Sequence, residues 1–409
     1  MTKGGRVHGI RIKLLYFMLF LAFGMSSPYS AIFYRHTLTR PDGTTDLNLI
    51  GLIYAAMPFV GLVTSMCAGV VADALRLGRR LITICCFGAS VFSFAIAWGV
   101  GDLALHWSLA AKFSLLFALL AAMTVFNSPV GSLLDAETLR FLNTENRRED
   151  YGSHRLWGTL GWAVGTPIMG WLLMKFPPAI MFYAMSVGSF LMGIASIGGV
   201  EATLKRTREP IQWNRLLKDK TFLLFLIFLF FYGMVMSATS NFFSYFFEDV
   251  MHSSFETGII FCVWTFLEIP IMYWGAKLVS KFGPRKLLLA GLICGIVRYI
   301  LFSFFTIDTP FVYKFLASLV HGPAFGLTFL GLMHFLDQRA HQTMKATYVS
   351  ISSMVQGSFA ASLGGWLGSV IMGSFGGRGM MLFSALTFAG LFVFILVFVK
   401  LPAETDVVK

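Results

Sequence analysis

Charge is scarce in this chain. Only 13% of its 409 residues are Asp, Glu, Lys or Arg, against about a quarter in an average soluble domain. So little charge excludes an ordinary water-facing surface. Cysteine is scarce too. Cys67, Cys85, Cys86, Cys262 and Cys294 are odd in number, fall in apolar stretches and lack metal-ligand spacing. That pattern excludes a disulfide framework and points to free thiols packed as small apolar groups. The sequence holds no glycine-rich phosphate loop, zinc motif or nucleophile elbow, so no enzymatic activity, metal or cofactor is expected.

Apolar residues are what the chain does have. They make up 56% of it, with 43 Phe, 21 Met and 40 Gly, and the mean hydropathy is +0.74. Glycine lets membrane helices approach closely. The expected class is an all-α membrane protein. Hydropathy predicts twelve spans: 13–34, 49–71, 81–99, 108–134, 151–175, 178–199, 221–247, 254–279, 285–306, 309–334, 344–372 and 377–400. The first follows Lys3, Arg6, Arg11 and Lys13. It is too long for a signal peptide and lacks a small-residue cleavage site, so it is expected to stay as the first helix.

Loop charge orients the spans. Of the 32 Lys and Arg residues, 25 fall on the side of the N-terminus and six on the other, with Arg298 inside a span. The excess of positive charge places both termini in the cytoplasm and the chain in the cell (inner) membrane. The formal charge of +12 is therefore a topology signal. It is not a nucleic-acid footprint.

The sequence repeats itself at half its length. Gly78-Arg79-Arg80 and Gly283-Pro284-Arg285 begin 205 residues apart, and the pairs Gly161-Trp162 and Gly365-Trp366 are 204 apart. Such a repeat predicts two pseudo-symmetric six-helix bundles with a solute site near the midplane. The expected division is a bundle over 1–200, a polar cytoplasmic linker over 201–220 and a second bundle over 221–409. Trp213 and Leu216-Leu217 suggest a short surface helix in the linker.

Three ionisable residues lie at matching depth in consecutive spans: Glu268, Arg298 and His321. A charge at the bilayer centre costs about 2.5–3.5 kcal/mol on insertion scales. Three at one depth point to a proton or solute path, and a structural ion pair is the alternative.

The segment Gly69-Val70-Val71-Ala72-Asp73, followed by Gly78-Arg79-Arg80, resembles the loop 2–3 signature of the major facilitator superfamily, with two extra residues between Asp and Gly. Ser280, Gly283 and Arg285 stand in the second copy. The resemblance implies that superfamily's fold and a gating role for Gly69, Asp73, Gly78, Arg79, Arg80, Gly283 and Arg285. A narrower resemblance is to the branch of lactose permease-like oligosaccharide:proton symporters, phenylpropionate permease and nucleoside:proton symporters. It rests on Tyr151-Gly152-Ser153-His154-Arg155-Leu156-Trp157-Gly158 through Trp162-Ala163, on Phe126-Asn127 and Asp135, and on Glu268-Ile269-Pro270, Val297-Arg298-Tyr299 and His321-Gly322-Pro323-Ala324-Phe325-Gly326. It implies solute binding by Asp135, Arg155, Trp162 and Asn127, and proton coupling by Glu268, Arg298 and His321.

The branch's sugar permease has a second acid one turn after the histidine, where Ala324-Phe325 stands here. Its acid–lysine pair between spans seven and eleven has no counterpart either. Glu268 and His321 would have to carry the proton. An Asp135–Arg155 ion pair is expected, and Tyr29, Tyr34, Asn127, Asn241 and Gln356 are candidates to line the cavity. Trp157, Trp171, Trp264 and Trp366 read as packing or interface aromatics. The expected function is proton-coupled uptake of a small polar organic solute, an oligosaccharide or a nucleoside, by alternating access. The proton gradient is the energy source, the partners are the solute, H+ and the bilayer, and the chain works as a monomer. The competing readings are an exporter or uncoupled facilitator of an aromatic or other organic acid, and, remotely, a transport-dead sensor.

Overall fold

The computed structural model describes residues 3–74, 78–104, 106–147, 150–197, 216, 218–339 and 345–398. Among them the chain is helical, with one isolated β-bridge between Thr39 and Thr45. Nine described helices are long and apolar enough to cross a membrane. The helix Tyr151–Leu173 (α6) and the shorter apolar helix Ile180–Ser196 (α7) occupy the places of the fifth and sixth expected spans. The stretch Thr347–Phe398 covers the last two.

Two compact units make up the chain. Unit 1 is Met1–Thr207 with Phe243–Cys262, and unit 2 is Arg208–Phe242 with Val263–Lys409. Residues 198–215, most of the expected linker with Trp213, lie outside the described residues.

In unit 1, α1 (Lys3–Ser26) stops at a short 3-10 turn, Ser27–Tyr29, before α2 (Ser30–Thr37). Pro28 sits in that turn, and a proline removes a backbone donor and fixes φ. The span expected over 13–34 is therefore interrupted by a 3-10 turn. α3 is Leu47–Ala74, α4 is Gly78–Ile96 with a π-turn Ala97–Leu103, and α5 is Leu109–Thr144. α5 runs ten residues past the expected end of the fourth span at 134.

Glycine sets the crossing of α1 on α6. A Cβ on Gly161 would lie 2.2 Å from the Phe17 carbonyl oxygen, and one on Gly165 would lie 2.7 Å from that of Leu21. Only a missing side chain lets the two backbones come so close.

Unit 2 repeats the device. Its helices are α8 (Lys220–Val250, to Phe242), α9 (Ser254–Tyr273, from Val263), α10 (Gly275–Ser303), α11 (Phe311–Ser318), α12 (His321–Arg339), α13 (Lys345–Met354) and α14 (Ala360–Phe398). Gly364 and Gly368 press on the carbonyls of Met234 and Ala238, with the same four-residue spacing on both sides. Gly364 directly precedes the repeated pair Gly365-Trp366, so each half holds a glycine crossing beside its Gly-Trp pair.

The tenth span is broken. The amides of Leu319 and Val320 bond back only three residues, to Leu316 and Ala317, so α11 ends and His321 opens α12. Pro323, just inside α12, suits a helix start. Lys314, counted from the sequence with the outer loops, is fully buried in α11. Gly322 and Gly326 lie against Leu267 and Ile271 of α9, again four residues apart. This contact brings α9 and α12 together at Glu268.

Candidate functional site

Glu268, Arg298 and His321 come together in unit 2. His321 Nε2 lies 3.0 Å from Glu268 Oε1. The glutamate side chain keeps 25% exposure and the histidine 10%. Arg298 is buried, with its guanidinium 4.3 Å from the centre of the Trp264 ring, 5.1 Å from Tyr299 and 5.2 Å from Phe302.

Aromatic rings form the frame. Phe302, Trp264, His321 and Phe325 stack in that order, at 6.2, 4.6 and 5.9 Å between ring centres. Trp264 therefore faces both the imidazole and the guanidinium. A cation over a desolvated indole gains about 2 kcal/mol, which offsets part of the cost of burying Arg298.

Ala324 and Phe325, at the place of the missing acid, wall a void of about 10 Å³ beside Arg298. The arrangement can hold one proton between a carboxylate and an imidazole, next to a fixed cation.

Unit 1 holds the other candidates, in a different pairing from the one expected. Asp135 accepts hydrogen bonds from Tyr16, at 2.5 Å, and from Tyr151, at 3.0 Å. Arg155 lies over Phe20, at 4.0 Å, and Tyr16, at 5.7 Å. The two residues thus share Tyr16, and no direct ion pair joins them among the described contacts. Gly158 makes room for Phe20 and the Arg155 guanidinium.

Further along α6, Trp162 faces a cavity of about 290 Å³ that also meets Asn127. The other walls come from α1, α2, α3, α5 and α7, with Phe23, Ser26, Ser27, Tyr34, Tyr54 and Met185 among them. No lining residue is charged. Asn127 and Tyr34, expected as cavity residues, are there. Tyr29 is not a lining residue: it is fully buried and donates to the Thr166 carbonyl at 2.6 Å. Asn241 donates to Ser237 within α8. Gln356 sits in a π-turn, Val355–Phe359, with its backbone against Gly233.

Of the loop signature, Arg285 does visible work as a cap. Its guanidinium donates to the carbonyls of Leu396, at 3.0 Å, and Ile395, at 3.4 Å, in the last turn of α14. In unit 1 it is Arg11 that caps a helix end, donating to the carbonyls of Ala195 and Ile197. A cation on the exposed carbonyls of a C-terminus is favourable. Gly283 has a φ of +74° and open space around it, so conformation explains the glycine there. Gly69 also faces open space. The side chains of Asp73 and Arg79 and the surroundings of Gly78 lie outside the described residues. Arg80 is exposed at the start of α4.

Sequence reasoning missed three contributors. Tyr16 and Tyr151 hold Asp135, and Trp264 carries Arg298 and His321. For Tyr151 the signal was present, since it opens the motif of α6. Trp264 lies four residues before Glu268, one turn away on the same face.

The model of the MFS_1 like family matches residues 9–398. The chain is 24% identical to the maltose permease of Geobacillus stearothermophilus, over 88% of this chain and 86% of that one. Among solved structures, a mutant form of the nucleoside transporter NupG superposes with a TM-score of 0.81 at 19% identity, covering 95% of this chain and 99% of its own. A D-xylose-proton symporter superposes with a TM-score of 0.75 at 13% identity, covering 96% of this chain and 98% of its own.

Proposed function

Since the chain belongs to the MFS_1 like family, and is a multi-pass membrane transporter of the major facilitator fold and not an enzyme, we propose that it is a proton-coupled importer of a small polar organic solute, an oligosaccharide or a nucleoside. It works by alternating access, as a monomer in the cell (inner) membrane with both termini cytoplasmic, and draws on the proton gradient alone.

The observation that carries this reading is the 3.0 Å bond between Glu268 and His321 beside the buried Arg298. A carboxylate–imidazole pair that keeps partial exposure can take and release a proton. The names of a maltose permease, a nucleoside transporter and a D-xylose-proton symporter among its likenesses agree with a polar neutral solute and with proton coupling. One observation favours a second reading, transport of an organic acid: the Arg155 guanidinium lies on aromatic rings, where it could receive a carboxylate.

Uptake into proteoliposomes under an imposed pH gradient tests the first reading. Glu268→Gln keeps the shape and removes the titrating group. It should abolish accumulation against a gradient and retain solute exchange. Normal accumulation by Glu268→Gln would remove Glu268 as the proton carrier.

A further inference from the structure

We propose that the uncharged cavity of unit 1 is the seat of the transported solute, and that it selects a neutral solute with a flat ring face and one polar edge, a nucleoside, over an organic anion or a polyhydroxylated sugar. The proposal rests on the transporter reading above and narrows its substrate class.

Charge decides against an organic acid. No Asp, Glu, Lys, Arg or His lines the cavity. A carboxylate seated there would lose its water and meet no cation, which is strongly unfavourable. Of the acid and base in the same unit, Asp135 is taken up by two tyrosine hydroxyls and Arg155 lies on Phe20. Neither lines the cavity.

The supply of hydrogen bonds decides against a sugar. Most hydroxyls on the wall are already committed. Ser26 donates to the Ala22 carbonyl, Thr124 to that of Leu120, and Ser30 bonds Tyr54. Among the described residues Asn127, Ser27, the Tyr34 hydroxyl and the Trp162 indole make no side-chain hydrogen bond, so these four are left for a ligand. An oligosaccharide presents hydroxyls on nearly every carbon, and each one buried without a partner weakens binding. A nucleoside gathers its polar atoms on the base edge and the ribose. Asn127 offers both a donor and an acceptor to such an edge.

The flat surfaces complete the match. Trp162, Phe23 and Phe182 offer ring faces, and Met57, Met123 and Met185 offer polarisable side chains that adapt to a planar ring. Stacking of this kind tolerates any base, because every base has a π-face. The volume of about 290 Å³ lies at the small end of ligand pockets, which suits one such molecule.

Equilibrium binding to the purified full chain in detergent tests the proposal, with uridine, uridine 5′-monophosphate, maltose and 3-phenylpropionate as probes. Uridine should raise the melting temperature and bind at least about tenfold more tightly than the other three. Trp162→Ala and Asn127→Leu should each weaken uridine about tenfold or more, and Trp162→Phe should recover part of the loss. Ser27 is exposed, so Ser27→Ala leaves folding intact and should still weaken uridine about threefold. Thr387→Val, whose hydroxyl serves only the Phe383 carbonyl of its own helix, is the control. Tighter binding of maltose, the monophosphate or 3-phenylpropionate overturns the proposal. So does an absence of uridine binding, or uridine binding that ignores all the cavity variants.

Binding at equilibrium needs no proton gradient, so the two readings fail separately. Cavity variants that abolish binding in a chain whose uptake ignores pH would leave the cavity standing and sink the proton assignment. Proton-driven uptake indifferent to the cavity variants would do the reverse.

Discussion

The imidazole of His321 is bonded to Glu268 at 3.0 Å and lies between the rings of Trp264 and Phe325. Its second nitrogen, Nδ1, is buried with no hydrogen-bond partner among the described residues. A proton on Nδ1 would be a buried, unanswered donor. The resting pair is therefore an imidazole donating from Nε2 to a carboxylate, with room for one further proton. His321→Gln can still donate to Glu268 but cannot relay that proton. Transport assays across a pH jump should show lost accumulation with exchange retained. His321→Phe keeps the ring stack and loses the bond, and should behave no better. Accumulation by either variant at the normal rate would make His321 a packing residue.

Trp264 is expected to matter through Arg298. Trp264→Leu removes the face on which the guanidinium rests, at a cost of about 2 kcal/mol for a desolvated cation, in addition to lost packing. Trp264→Phe should recover part of it. Melting temperatures in detergent read the order wild type, Phe, Leu. A Leu variant as stable as the wild type would show that the contact contributes nothing.

Tyr16 and Tyr151 make a cycle with Asp135. Removing a hydrogen bond to a charged group costs about 1.5–3 kcal/mol. Tyr16→Phe should destabilise more than Tyr151→Phe, because Tyr16 is fully buried and Tyr151 is only half-buried. In an Asp135→Asn background the Tyr16→Phe penalty should shrink, since no carboxylate remains to be satisfied. Exchanging the charges, Asp135→Arg with Arg155→Asp, should restore neither folding nor uptake, because the tyrosines would face a cation. Recovery in the exchange would restore the direct ion pair.

Two glycines in unit 1 should respond in opposite ways to alanine. A methyl on Gly161 meets the Phe17 carbonyl at 2.2 Å, whereas one on Gly69 meets open space. Overpacking of this kind costs about 1–3 kcal/mol, so Gly161→Ala should lower the melting temperature and the yield. Gly69→Ala should leave both unchanged or improved. Equal behaviour of the two would mean that the α1–α6 crossing gives way easily.

The helices were legible because twenty apolar residues in a row admit few alternatives in a membrane. The repeat was legible because Gly-Trp recurs at half-length, and the structure shows a close crossing at Gly161 in one half and at Gly364, next to Gly365, in the other. The nearness of Glu268 to His321 could be guessed from equal depth, but the α9–α12 contact that makes it real depends on Gly322 and Gly326 meeting Leu267 and Ile271. The partners of Asp135 were hidden for a related reason. Tyr16 is 119 residues away from it, and only the packing of α1 beside α5 says which of several tyrosines arrives. The interruptions escaped notice because hydropathy averages over a window. The 3-10 turn at Pro28 and the break before His321 leave the mean unchanged.

Gly283 and Gly376 carry a further consequence, for the chain's length. Each turns the backbone at a single left-handed residue, with φ of 74° and 65°, and helix continues on both sides without a loop. One residue gained or lost there would rotate the following helix by about 100°. Past Gly376 that rotation would swing Met380 and Met381, both fully buried, out of the core. Length can vary in the hairpin around Gly43, whose Cβ position is open, but it is locked at these two turns. Insertions and deletions carried by descendants of this sequence should therefore spare them, which makes the two glycines fixed points for register.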